Sequence, residues 1–171
     1  TKRIWTSSQL KYLANADKYI VYFTPDKNQY VRQDGNIETK VDVTVSQNEP
    51  TEVRKIEFTN IGNEDEVIEV TGSFEPIISD INADIAHKAF NNLFLRYEFL
   101  EDSGTILVKR NHRNKGEKNI YLAVNLYTKD ETIGDLEYEI DKGKFIGRGN
   151  INLPKAVERE LPLSKKIGLT T

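Results

Sequence analysis

The stretch Ile37-Glu-Thr-Lys-Val-Asp-Val-Thr-Val-Ser46 sets Ile37, Val41, Val43 and Val45 on one side of the chain and Glu38, Lys40, Asp42 and Thr44 on the other. A period of two is that of a pleated strand with one face against an apolar core and the other in water. The pattern returns in Asn119 to Tyr127, with Ile120, Leu122, Val124 and Leu126 expected inward, and in Leu136, Tyr138 and Ile140. Less regular copies predict strands at Tyr19 to Phe23, Asn28 to Gln33, Glu52 to Asn60, Glu66 to Glu75, Leu95 to Leu100 and Thr105 to Arg110. About nine strands with short connections predict an all-β fold, an antiparallel sandwich.

Turn-forming residues fall between these runs: Pro25-Asp26-Lys27-Asn28, Asp34-Gly35, Asn60-Ile61-Gly62-Asn63, Asp102-Ser103-Gly104 and Ile133-Gly134-Asp135. Glycine and asparagine accept positive φ, and Asp closes local turns through its side chain. The phase of Glu52 to Asn60 slips between Val53 and Ile56, which predicts a bulge near Arg54-Lys55. One segment departs from the β pattern. Ile81, Ile85, Ala89 and Leu93 recur every four residues, flanked by Ala86 and Phe90, behind Ser79 or Asp80 as a cap. This predicts a short helix over about 82–92 with an apolar stripe. A further helical turn is expected after Pro154, through Ala156 and Glu160.

The 171 residues read as a single domain with no linker or repeat. With 24 Lys+Arg against 27 Asp+Glu the net charge is −3, so a polyanion would not be bound over a whole face. Zero cysteines exclude a disulfide framework, a thiolate zinc site and a cysteine nucleophile. The two histidines, His87 and His112, leave little for a transition-metal centre, and neither a metal nor any other cofactor is expected. No apolar run approaches the roughly 20 residues of a membrane span. Met is absent even at position 1, which reads as a processed or excised piece.

Few residues point to chemistry. Lys109, Arg110, His112, Arg113, Lys115 and Lys118 form the densest charge, but no aromatic is interleaved for base stacking. The run reads as a solvated hairpin loop, and no nucleic-acid partner is expected. Asp84 and His87, three apart on the helix, could share a proton or a cation, yet a metal site needs more ligands. Asp34 with Glu38 could be a glycosidase carboxylate pair, although their spacing does not single them out. Gly143, Gly147 and Gly149 lack the Lys-Ser/Thr of a phosphate loop and read as a tight backbone bend. Arg148, between the last two glycines, could offer a guanidinium fork to a carboxylate, a phosphate or sugar hydroxyls. Trp5 and Tyr30 lie outside the clear inward registers and are expected as exposed faces on which a pyranose could stack.

The order of motifs carries more than any one of them. WTSS (5–8), YIVYFTPD (19–26), RQDGNIET (32–39), VRKIEFTN (53–60), IEVTGSFEP (68–76), ADIAHKAFNNLF (83–94), YEIDKGKFIGRGN (138–150) and LPLSKKIG (161–168) follow in turn. Together they resemble the β-sandwich, carbohydrate-binding region of glycoside hydrolase family 94, inclined toward its β-1,2-glucan branch. The departures are modest: Thr6 and Lys88 stand where the family commonly has proline, and Thr71-Gly72-Ser73-Phe74 alters a Thr-Ser-Tyr/Phe run.

What the resemblance implies is a super-sandwich that precedes a helical linker and an (α/α) barrel, the barrel holding the catalytic acid and most of the phosphate and sugar subsites. On that basis no catalytic residue is expected in this chain. Its expected partners are the helical-barrel catalytic domain of the parent protein, a β-glucan chain and a second copy of itself. A sheet edge should be exposed or differently covered, because the family's opening strands lie before the Trp5 motif. The implied location is cytoplasmic, alone or as the cytoplasmic part of a membrane-bound synthase. Arg32, Asp34, Arg148 and Asn150 are the expected polar sugar contacts, with Trp5 and Tyr30 as stacking faces.

Overall fold

The computed structural model describes residues 3–7, 15–112, 115–148, 152–159 and 161–166. Its contacts fall into two compact units, Thr1–Glu69 and Val70–Thr171. Each holds one antiparallel sheet, with four strands in the first and three in the second. Among the described residues there are thus seven strands where about nine are expected.

In the first unit β1 (Lys18–Phe23), β2 (Asn28–Asp34), β3 (Ile37–Val45) and β4 (Glu52–Asn60) form a meander in chain order. The first turn closes through Thr24 N–H to Lys27 O at 3.0 Å. The second is Gly35-Asn36, where Gly35 takes φ +63°, a value that costs glycine little. Register places Tyr19, Val21 and Phe23, then Asn28, Tyr30, Arg32 and Asp34, then Ile37, Thr39, Val41 and Val43, then Ile56 and Phe58, on one face. Burial is deepest at the Gly35 end of that face: Ile37, Thr39 and Val41 are buried, whereas Val45 at the far end is 63% exposed.

β4 pairs with β3 residue for residue from Ile37↔Asn60 to Val45↔Glu52. The expected bulge at Arg54-Lys55 is therefore absent. Val53 instead stands opposite Thr44 on the polar face, which an exposed strand end tolerates.

In the second unit β5 (Leu95–Leu100), β6 (Thr105–Arg110) and β7 (Tyr121–Asn125) pair in order. A 3₁₀ turn at Glu101–Ser103, ended by Gly104 at φ +62°, makes the first connection. Leu95, Tyr97, Val108, Ile106 and Leu122 share a face, and Ile78 packs with them into the core. Ile120 and Leu126, expected inward, lie beyond the ends of β7 and are 58% and 51% exposed.

The two expected strands that do not form are Glu66 to Glu75 and Leu136 to Ile140. The second still packs. Tyr138 stacks on Phe99 at 4.1 Å and Ile140 is buried. A regular ladder is replaced by side-chain acceptors: Glu137 Oε2 takes Leu163 N–H and Glu139 Oε2 takes Ser164 N–H, each at 3.2 Å. Alternation alone cannot separate a strand from an extended segment bonded in this way.

The predicted helix is α1 (Ile81–Asn92), with Asp80 as its cap, Oδ1 accepting Asn82 N–H at 2.9 Å. Its apolar stripe is not what it buries. Ile81, Ile85, Phe90 and Leu93 are 57%, 77%, 45% and 52% exposed, while Asp84 and Asn91 are buried. His87, at φ −148° and ψ 57°, kinks the helix and breaks the four-residue repeat. Asn91 Nδ2 donates to Ala83 O, four residues before the kink, at 2.7 Å. Arg110 joins this polar cluster, reaching Ile78 O at 3.4 Å and lying 5.3 Å over the Phe94 ring.

The expected glycine bend is a short helix, α2 (Lys142–Ile146), capped by Asp141 and ended at Gly147 with φ +65°. The turn after Pro154 is α3 (Lys155–Glu158), with Pro154 one residue earlier than expected, at the cap. No helix among the described residues is long and apolar enough to cross a membrane.

Candidate functional site

Four expected site residues, Trp5, Tyr30, Arg32 and Asp34, belong to the first unit, and the structure gathers them at one end of a single sheet face. Tyr30, Arg32 and Asp34 alternate along β2 and so point the same way. Trp5 arrives from the segment before β1 and donates Nε1–H to Thr39 Oγ1 at 3.1 Å. Thr39 is the cross-strand neighbour of Arg32, one pair along from Tyr30 and Val41. Trp5 and Tyr30 are half-buried rather than the exposed platforms expected.

Arg32 and Asp34 are fully enclosed, with side chains 1% and 0% exposed. The guanidinium holds the carboxylate in a fork, Nε to Oδ2 at 2.6 Å and Nη2 to Oδ1 at 2.9 Å. Their geometry fits a structural ion pair beside Tyr30 on the same sheet face.

The polar groups at the rim are ones the sequence reading missed. Arg3 Nη2 lies 3.3 Å from Asp34 Oδ1, and Arg3 Nη1 lies 3.4 Å from Asp17 Oδ2. Asp17 Oδ2 also accepts Gly35 N–H at 2.6 Å. That backbone hydrogen bond, with Arg3's charge adding, holds the Asp17 carboxyl below its ordinary value against the effect of desolvation. With side chains 36% and 53% exposed, Arg3 and Asp17 present a cation and an anion to solvent. The segment carrying Arg3 has no periodicity, so sequence offered no signal for it.

The other expected residues lie elsewhere. Arg148 is exposed in the turn after α2, in the second unit, and Asn150 lies outside the described residues, as do Arg113 and Gly149. Asp34 and Glu38 stand on opposite faces, since Glu38 pairs with Gln33, so they cannot flank one bond. Asp84 is buried while His87 is exposed at the kink. No group of three or more His, Asp or Glu among the described residues could hold a metal ion.

A half-buried indole and phenol with a charged rim can dock the C–H face of a sugar and bond its hydroxyls. The family model described as "Glycosyl hydrolase 94, supersandwich domain" matches residues 1–171. The chain is also similar to the cyclic β-(1,2)-glucan synthase NdvB of Rhizobium meliloti (strain 1021), at 30% identity over 145 residues. Those residues are 85% of this chain and 5% of that protein, so the chain spans a small part of its relative. With its two antiparallel sheets and whole-length match, the chain belongs to the glycosyl hydrolase 94 supersandwich family.

Proposed function

We propose that residues 1–171 serve as one non-catalytic domain of a larger cytoplasmic glucan-processing protein, of the cyclic β-1,2-glucan synthase or β-glucan phosphorylase type. The domain packs beside a helical-barrel catalytic domain, shapes the mouth of its active site and touches the glucan through Trp5 and Tyr30. Arg3 and Asp17 take hydroxyls at the rim, and Arg32 with Asp34 fixes the sheet beneath. Arg148 and Asn150 offer a second polar contact. The observation that carries this reading is the joint placement of Trp5, Tyr30 and the Arg3–Asp17 pair at one end of a sheet face, in a chain of this family.

A second reading is a structural domain with no ligand of its own. It is favoured by the exposed apolar side of α1, where Ile81, Ile85, Phe90 and Leu93 would suit a covering domain. In both readings the chain does no chemistry. Incubation with β-1,2-oligoglucan and inorganic phosphate should release no sugar phosphate, and turnover by the chain alone would overturn both.

A further inference from the structure

The β6–β7 hairpin of the second unit carries charge that the reading above leaves unused. Residues 109–121 hold five Lys and Arg against one acid, Glu117, in a chain of net charge −3. Along the sequence no aromatic interrupts those cations, but register supplies one. The β6–β7 ladder ends at the pair Lys109↔Tyr121, and Arg96 of β5 stands on the other side of Lys109. Arg96, Lys109 and Tyr121 thus form a row across the sheet face turned away from Leu95, Val108 and Leu122. Like charges directly opposite in a ladder are unfavourable. Arg96 is satisfied locally, its Nη1 donating to Leu93 O at 3.1 Å and Leu95 O at 2.9 Å. Lys109 is exposed, and among the described residues its ammonium has no partner.

Beyond Lys109 and Tyr121 the hairpin opens into a cleft of about 500 Å³, lined by Lys109, Arg110, Asn111, His112, Asn119 and Tyr121. That is room for a small ligand. The Arg110 guanidinium is spent on the opposite face, over the Phe94 ring and toward Ile78 O. What the cleft offers is one ammonium, two amides, an imidazole and a phenol ring that is 56% exposed. Lys115 and Lys118, exposed on the same hairpin, add to its positive potential. The phenol suits the C–H face of a pyranose, the amides suit hydroxyls, and the ammonium and imidazole suit an anion. A bare phosphate has no use for the ring, and a neutral sugar has no use for the ammonium. A nucleic-acid strand would call for more than one stacking ring.

We propose that this cleft binds a small anionic sugar, a hexose ring carrying one phosphate or carboxylate. Tyr121 lies under the ring, Lys109 and His112 hold the anionic group, and Asn111 and Asn119 take hydroxyls. The inference uses residues of the second unit alone and does not rest on the reading given for Trp5 and Tyr30.

The test is isothermal titration calorimetry of the full chain at low salt with glucose 6-phosphate, glucuronate, glucose and inorganic phosphate. Glucose 6-phosphate or glucuronate should bind saturably, and the tighter of the two names the anionic group. Glucose and inorganic phosphate should each bind at least about tenfold more weakly. Lys109→Gln should weaken the anionic sugar about fivefold or more, yet leave Tm unchanged or raised, because it also removes the charge opposite Arg96. Tyr121→Ser should weaken it about threefold to tenfold and leave residual phosphate binding as it was. The proposal is overturned if neither anionic sugar binds, if inorganic phosphate binds as tightly as they do, or if Tyr121→Ser changes nothing. A loss at Lys109→Gln matched by Lys129→Gln, at an exposed lysine outside the cleft, overturns it as well. Should Tyr121→Ser fail to fold, the ligand comparison and Lys109→Gln still decide it. Failure here leaves a Trp5 response to β-1,2-glucan unaffected.

Discussion

Arg32 and Asp34, two residues apart on β2, meet side by side within the protein, the guanidinium fork closing on both carboxylate oxygens at 2.6 and 2.9 Å. A pleated strand sets i and i+2 on the same face, so the contact needs no help from another element. A charge pair so enclosed is costly to half-remove, because the remaining ion keeps its burial and loses its partner.

Asp34→Ala should therefore destabilise the protein by about 3–5 kcal/mol, whereas Arg32→Met with Asp34→Leu should recover much of that loss. Urea midpoints for the wild type, single and double variants would show it. A single variant as stable as the wild type contradicts the pair's structural role.

Gly147 ends α2 at φ +65° and ψ −142°, a region nearly closed to other residues, and an added Cβ would come within 2.7 Å of Lys155 Cδ and 3.0 Å of its Cβ. Gly147→Ala should cost about 1–3 kcal/mol. At Gly72 an added Cβ meets nothing within 4 Å, and Gly72→Ala should be neutral or slightly stabilising. Thermal unfolding of the two variants should rank them in that order.

Glu75 ties two helices of the second unit, accepting Lys142 Nζ and Lys88 Nζ, each at 2.8 Å. Lys142 first, then Lys88, holds its carboxyl below the ordinary 4.5. A folded value lowered in this way stabilises above the unfolded value and is lost as pH falls through the folded one. The wild-type Tm should exceed that of Glu75→Gln by a small, constant margin above pH 4.5, no more than about 1 kcal/mol in stability. The gap should close in more acidic buffer, and a gap that widens on acidification contradicts the assignment.

The orientation of α1 is open to a direct comparison. Ile85 is 77% exposed and Ile85→Ser should change stability by no more than about 0.5 kcal/mol. Asn91→Ala, which removes the bond to Ala83 O, should cost about 1–3 kcal/mol. A helix docked by its apolar stripe would reverse that ranking.

These particulars mark what was legible in the sequence. Strict alternation with a turn at each end located β3 and its hairpin partner, because one face had to be apolar and Gly35 had to bend. Asp80 announced the start of α1. Its buried face was hidden, since the kink at His87 and the bond from Asn91 to Ala83 are tertiary choices that no periodicity records. Leu136 to Ile140 read as a strand because extended chain alternates whatever satisfies its backbone, here Glu139 Oε1, which accepts Ile140 N–H, and Lys165 N–H, which donates to Tyr138 O. At the candidate site Trp5 and Tyr30 drew notice as aromatics outside the clear inward patterns of the sequence, although Tyr30 lies on the inner face of β2, opposite Val41. The rim formed by Arg3 and Asp17 depends on a segment returning over the Gly35 turn.

Trp5 is the single tryptophan of the chain, so its emission reports one place. Titration with soluble β-1,2-glucan should shift that emission saturably, with affinity on the order of millimolar or tighter, and Tyr30→Ala should weaken it up to about tenfold. An emission that stays flat against β-1,2-glucan and other β-glucans alike would contradict a glucan-touching face on this domain.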